Sequence, residues 1–180
     1  MSILRSNAGY SGWPLATLCS LFVSGCLYSF TGGGGLPGHI KSLAILPLDN
    51  QTTQFTLTQE LTQALTDDVP GRLGVKPADE ASADAVLRGT IVRYSDDAII
   101  YQSQRDLERD VTAPVISQRR VTIAISVEIY DVSQDQVLWS VGSLSATGEY
   151  LPDSGSEQEG RLLAIENLVQ KIIDGAQSQW

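Results

Sequence analysis

Few side chains in this 180-residue chain have the types and spacing for covalent, metal or acid–base chemistry. There are two cysteines, Cys19 and Cys26, and one histidine, His39. Cys26 has the most informative surroundings. Val23-Ser24-Gly25 precede it, an apolar run from Pro14 to Val23 leads up to them, and a basic residue, Arg5, lies further upstream. A thiolate is a nucleophile, and small residues before it let a processing enzyme close around the chain there. His39 would need carboxylates to complete a metal site, and none stands at a suitable spacing. There is no Gly-x-Ser-x-Gly elbow and no Asp-x-Asp-x-Asp-Gly calcium loop. The adjacent acids Asp67-Asp68 and Asp96-Asp97 have the type for paired-carboxylate work, but neighbouring acids in polar stretches ordinarily face solvent. The inventory points to a non-enzyme without a cofactor.

The stretch Val23-Ser24-Gly25-Cys26 resembles a bacterial lipoprotein signal, with Val23 where leucine is commoner. That resemblance implies a diacylglyceryl group on the Cys26 thiol, cleavage before Cys26, and acylation of the new amino group. Leu27, rather than aspartate, after the cysteine implies export to the outer membrane. An ordinary secretory signal shares the charged start and apolar run, and a buried N-terminal helix is a third reading. A membrane-spanning helix is disfavoured, since the run is about 10 residues and a span takes roughly 20. The expected organisation is a removed signal over 1–25, a lipidated glycine-rich tether over 26–38, and one domain over 39–180. The 155 residues after the signal suffice for one core. Without Arg5 the formal net charge of −9 becomes −10, a poor match to nucleic acid, which calls for a basic footprint. With Cys19 lost and Cys26 lipidated, the domain would hold no free thiol or disulfide.

Gly32 to Gly35 reads as a flexible tether, because glycine loses most entropy on ordering. A phosphate-cradling loop fails, for no glycine precedes Lys41-Ser42. Ile40 to Leu48 reads as a strand closed by Pro47. Thr56 to Val69 reads as a helix with Leu57, Leu61, Ala64 and Leu65 on one stripe. Thr53 or Thr56 would cap it, with Gln59 or Glu60 reaching back, and Pro70-Gly71 would stop it. A short strand spans Leu73 to Pro77. Ala85 to Tyr94 is a longer one, with Gly89 marking a bulge or a close backbone approach. Ala98 to Tyr101 can continue it, and the charged Arg105 to Asp110 reads as a hairpin tip.

Arg119 to Val132 carries the clearest pattern. Val121, Ile123, Ile125, Val127 and Ile129 alternate with polar or small residues, so one face is buried and the other meets water or a partner. After a hairpin connection at 131–135, Val137, Trp139 and Val141 share a face of the next strand. Residues 142–155 read as a loop. The closing helix runs from Glu157 to Ala176, with Leu162, Ile165, Leu168 or Val169 and Ile172 inward, and with Gly175 at its end. The fold class expected is α+β: a two-layer α/β sandwich, with a mixed or antiparallel sheet of about four to five strands and two helices on one face.

Several stretches resemble one family in order along the chain. Cys26 to Phe30, Gly32 to Pro37 and His39 to Ile45 are similar to the start of LptE, the lipopolysaccharide-assembly lipoprotein of diderm bacteria. Leu57 to Leu65 resembles its first helix, Ala83 to Ile91 the following strand, and Gln136 to Trp139 its late hairpin. Leu27 departs from the commoner glycine, and Tyr101 to Pro114 is longer than the family pattern. The resemblance implies a lipid-anchored plug in the outer-membrane LptD barrel, assisting barrel assembly and lipopolysaccharide delivery. A wet lumen requires a polar plug surface, and phosphates are met bidentately by arginine. Arg88, Arg93, Arg119 and Arg120, on or beside strands, are the candidate lipopolysaccharide contacts; the plainer role for them is edge-strand protection. Another outer-membrane assembly or secretion-channel lipoprotein of curli or secretion type is the alternative, and a lipid-anchored periplasmic enzyme the third reading.

Overall fold

The computed structural model describes residues 35–106 and 111–179. The expected signal, Cys26 and most of the tether lie outside them, as do residues 107–110 of the hairpin tip expected over Arg105 to Asp110, whose first two residues belong to a strand. Six strands and two α-helices follow in order among the described residues: β1 (Ser42–Ile45), β2 (Asp49–Asn50), α1 (Thr56–Leu73), β3 (Lys76–Pro77), β4 (Ala85–Asp106), β5 (Val111–Asp131), β6 (Gln136–Tyr150) and α2 (Glu157–Gln177). The sheet runs β3-β1-β4-β5-β6, with β2 also pairing β4. β1 is parallel to β3 and β4, and β2 to β4, whereas β4-β5-β6 is an antiparallel meander. The sheet is mixed, as expected; β2 is a two-residue pairing too short for a period to reveal, and the short strand expected over Leu73 to Pro77 contracts to Lys76–Pro77 because α1 and its Gly74 cap take up its start.

The alternation read from β5 defines the layers. Val121, Ile123, Ile125, Val127 and Ile129 are all buried, in one core with Leu87 and Ile91 of β4. Leu57, Leu61, Leu65 and Val69 of α1 and Ile165, Leu168, Val169, Ile172 and Ile173 of α2 close the same core. Both α-helices therefore cover one face of the sheet, and the other face is free of α-helices among the described residues, with a 3-10 turn at Glu80–Ser82 and a small cluster of Ala44, Ala83 and Val86 beside β1.

The boundaries differ from the expected ones for local reasons. The first expected strand breaks at Pro47, which has no N–H to give the ladder, and pairing resumes only at Asp49. α1 runs through Pro70 to Leu73, which becomes buried, and stops at Gly74 in the left-handed region (φ 73°). There the Val75 N–H donates to the Pro70 carbonyl at 2.9 Å, so a glycine C-terminal cap, not the proline, ends the helix. No side chain caps its start at Phe55. Instead Asn50 organises the entry, its Oδ1 accepting from the Thr52 N–H at 2.8 Å and the Thr52 hydroxyl at 2.7 Å. α2 has the side-chain cap, a reciprocal box of Ser156 and Glu159.

The expected loop at 142–155 is strand as far as Tyr150. Its small residues signal close packing: a Cβ on Gly148 would run into the Gly160 carbonyl and lie 2.7 Å from the Ala164 nitrogen. Gly175 likewise lies inside α2, where a Cβ would sit 2.7 Å from the Trp139 ring. In β6 the register slips between Ile129 and Tyr130, so Leu138 and Trp139 are buried while Val137 is exposed. Leu162 is exposed too, and Arg161 takes the inward place. At Gly89 the close approach is realised, a Cβ there meeting the Ser126 carbonyl and lying 2.9 Å from Leu48. The first β4 bulge falls later, between Ile91 and Arg93, and a second between Ala98 and Ile100.

Candidate functional site

Register decides which face each arginine occupies. Arg88 pairs with Glu128, Arg93 with Ala124 and Asp97 with Arg120 across β4 and β5. Strand alternation then places Arg88, Arg93 and Arg120 on the helix-free face, beside Thr90, Thr122 and Ser126. Arg119 lies on the opposite, helix side. The bulge at Val92 is what returns Arg93 to the free face, because it shifts the alternation by one residue.

Two of the three free-face arginines already hold carboxylates. Arg88 Nε is 2.5 Å from Glu128 Oε1, and its guanidinium carbon stands 5.1 Å from the centre of the Tyr130 ring. Arg120 donates from Nε and Nη2 to Glu149 Oε1 at 2.9 and 2.6 Å, and Gln118 reaches the other oxygen at 2.6 Å. These are exposed cross-strand pairs that a phosphate can compete for, since such pairs contribute only about 0–1 kcal/mol. Arg93 is exposed and makes no ion pair among the described residues. Between the β1–β2 connection and this face runs an open groove of about 570 Å³. Arg88, Glu128, Thr90, Ser126 and Ser140 line it with Pro47 and Asp49.

Arg119 is engaged differently. Its Nε donates to both Asp96 carboxylate oxygens at 3.1 Å and its Nη2 to the Asp96 carbonyl at 2.9 Å. The Tyr150 hydroxyl donates to Asp96 Oδ2 at 2.9 Å. Hydrogen bonding to Asp96 raises the guanidinium's pKa, and burial followed by the Asp96 contact raises that of Tyr150. Asp96 and Asp97 point to opposite faces and form no dyad. Asp67 accepts from Gln63 at 2.9 and 3.0 Å.

Sequence reasoning missed a second polar cluster under α2. Arg161, nearly buried, donates to Glu60 of α1 at 2.8 and 3.1 Å and to Glu157 at 2.6 Å. Tyr94 of β4 donates to Glu157; burial, then that carboxylate, push its hydroxyl up to about 12. Bonding to Glu60 drives the Arg161 pKa upward. One buried arginine thus joins both helices to the sheet. The inward-facing position of Arg161, one place before Leu162 in the stripe, was its only sequence signal. Among the described residues no group of three His, Cys, Asp or Glu side chains is placed to hold a metal, and no helix is long and apolar enough to cross a membrane.

A mixed sheet sealed by two α-helices on one side defines a two-layer α+β domain. The family model for LptE, described as lipopolysaccharide-assembly, matches residues 40–176. The chain belongs to the LptE family, a family of non-enzymatic assembly lipoproteins. Among solved structures, the fold is similar to the hypothetical protein CT253 from Chlamydia trachomatis, at TM-score 0.52 and 11% identity over 78% of this chain and 97% of that one. The PelC dodecamer from Paraburkholderia phytofirmans aligns at TM-score 0.48 and 17% identity, over 79% and 92%. Lipoprotein GNA1162 from Neisseria meningitidis aligns at 0.43 and 15%, over 74% and 99%. No curated protein matches the chain.

Proposed function

We propose that this protein is an outer-membrane lipoprotein, anchored through acyl chains on Cys26, that plugs and helps assemble the LptD-like barrel of the lipopolysaccharide translocon. It assists delivery of lipopolysaccharide to the outer leaflet. The observation that carries this reading is the family match over residues 40–176. The helix-free face adds physical support. It presents hydroxyls and arginines, which suit a wet lumen and a phosphate-bearing ligand. Arg93 is the cation best placed to bind, with Arg88 and Arg120 contributing when their carboxylates yield, and Arg119 acting mainly as the partner of Asp96. Three acyl chains, at roughly 0.8 kcal/mol per buried methylene, anchor the protein stably.

Purification from mild detergent tests the partner. Recovery of a large β-barrel with the protein is the expected result, and a homo-oligomeric ring without a barrel would overturn it. Metabolic lipid labelling tests the anchor: Cys26→Ala should abolish it, and persistent labelling would refute lipidation at that residue.

A further inference from the structure

Among the described residues, the outer edges of the sheet are guarded everywhere except along one stretch of β4. An open strand edge presents unpaired N–H and C=O groups to any other strand, and folds blunt it with charge, proline, bulges or a covering element. β3, at one side of the sheet, is Lys76–Pro77, both exposed. β6, at the other side, has its Thr147 carbonyl accepting from Asn167 Nδ2 at 2.9 Å and its Ser145 carbonyl from Lys171 Nζ at 2.7 Å, both reaching over from α2. β4 loses its neighbour β2 after Ile91. The edge opened there is interrupted by extra residues at Val92 and Ile99 and carries Arg93 and Asp97.

Past the Arg119–Tyr150 pair, no third strand joins β4 or β5 among the described residues. The two continue alone as a ribbon, in unbroken register from Tyr101 opposite Ile116 to Asp106 opposite Val111, about 20 Å at roughly 3.4 Å per residue. Its two edges differ. On β5, Pro114 stands opposite Ser103 without disturbing the register, and a proline has no N–H to give an incoming strand. On β4, the run Tyr101-Gln102-Ser103-Gln104 has no proline, charge or bulge. Ile100 and Tyr101, 45% and 61% exposed, leave apolar surface at the start of this edge. A two-stranded ribbon is marginal in water by itself, and a third strand is one of the things that stabilises it. The chain enters the sheet at the opposite end, where Leu43 pairs with Ala85 and the His39 ring meets the buried Asp131 carboxylate at 2.6 Å. That entry lies about 50 Å away along β4, at roughly 3.3 Å per residue.

We propose that the β4 edge at Tyr101–Gln104 takes up a strand of the partner barrel while that barrel is still open, acting as a template until it closes. The inference rests on the barrel partnership proposed above and names the segment that acts in it. The occupant follows from what an edge can recognise. Strand addition is read through main-chain hydrogen bonds, so the partner must bring an unpaired strand edge of its own. A barrel has such edges only before its first and last strands meet, because closure abolishes them. A transmembrane strand also has an apolar outward face, which an uncharged template meets without burying a charge. Closure then releases the ribbon without a further signal, since the strand it held gains its neighbour within the barrel.

Photo-crosslinking of the full-length protein in cells tests this, with p-benzoylphenylalanine in place of Tyr101, of Val115 on the other edge, or of Phe55, an exposed aromatic at the start of α1. In pulse-labelled cells the Tyr101 probe should capture newly made barrel chain about fivefold more than the Val115 probe, as one missing N–H donor implies. The Phe55 probe should capture less of it than Tyr101 does. The Tyr101 adduct should fade during the chase as the barrel reaches its closed, denaturant-resistant form. Gln102→Lys combined with Gln104→Lys, which charges the edge, should lower the Tyr101 adduct several-fold with the melting temperature unchanged. Equal yields from the two edges, an adduct undiminished on the closed barrel, or an adduct with a second copy of this chain overturns the proposal. If the barrel co-purifies but the Tyr101 probe captures none of it, the edge pairing falls and the plug reading stands; if no barrel co-purifies, both fall.

Discussion

Replacing Gly148 with alanine tests the account of how α2 lies on β6. The added Cβ would run into the Gly160 carbonyl, and would stand 2.7 Å from the Ala164 nitrogen and 2.8 Å from the Leu163 Cβ. Carbon atoms are at rest about 3.5–4.0 Å apart, so the helix must retreat by about 1 Å, a gap that forfeits a quarter to a half of each dispersion contact it opens. The first neighbours to suffer are Ala164, Ile165 and Leu168, all buried under that stretch. Backbone lies on both sides of the clash, so no rotamer change relieves it. The expected loss is about 3 kcal/mol, at the upper end of overpacking costs, or a fall of roughly 6–12 °C in melting temperature for a domain of this size. Gly160→Ala should cost less, since its nearest neighbour at 2.7 Å is the edge of the Tyr150 ring, which can turn. Gly142→Ala has nothing within 4 Å and is the control. Urea unfolding of the three variants should rank them in that order. If Gly148→Ala unfolds within about 0.5 kcal/mol of the control, the close helix–strand contact is not what fixes this corner of the fold.

Three further outcomes are expected. Arg161→Ala should lower unfolding stability by about 3 kcal/mol, because Glu60 and Glu157 lose their shared partner, while Arg161→Met should recover more than half of that; equal losses in chemical denaturation would contradict the reasoning. Asp131 is depressed from 3.8 to about 2 on folding. Its contribution is thus complete above about pH 4 and lost as pH falls towards about 2, and Asp131→Asn should flatten the acid limb of a stability–pH curve over that window. Arg93→Ala should weaken lipopolysaccharide binding several-fold in a direct binding assay without changing thermal stability. Arg119→Ala should instead lower stability, and joint replacement of Arg119 and Arg120 should weaken binding chiefly through Arg120.

The layers were legible because they rest on period. Val121 to Ile129 and the Leu57–Leu61–Leu65 stripe are local patterns, and burial follows them directly. What escaped was set by pairs far apart in the chain. Gly148 and Gly160 read as loop and helix glycines until each is seen as room for the other's element. His39 and Asp131 are 92 residues apart, and Glu60 and Arg161 are 101 apart, so no window holds either pair. The helix-side engagement of Arg119 depends on the same register that puts Asp96 opposite Val121. A candidate chosen for charge alone could not distinguish it from Arg93. Ser156 and Glu159 were different, for a serine three residues before a glutamate is a readable start signal that the apolar stripe overshadowed.

The unequal connections of the sheet bear on the order in which it forms. β4, β5 and β6 follow one another with only four residues between each pair and pair with their neighbours in sequence, so each rung closes after the last at little entropic cost. β1 reaches β4 only across α1, with Leu43 opposite Ala85, and such non-local parallel pairing is slow. The hypothesis that follows is kinetic: the meander gains protection first, and the strand nearest the N-terminus seats last. Pulse-labelled exchange during refolding should protect amides of 121–129 before those of 42–45, and the reverse order would rule this out. The first strand after the proposed anchor in sequence would then be the last to seat.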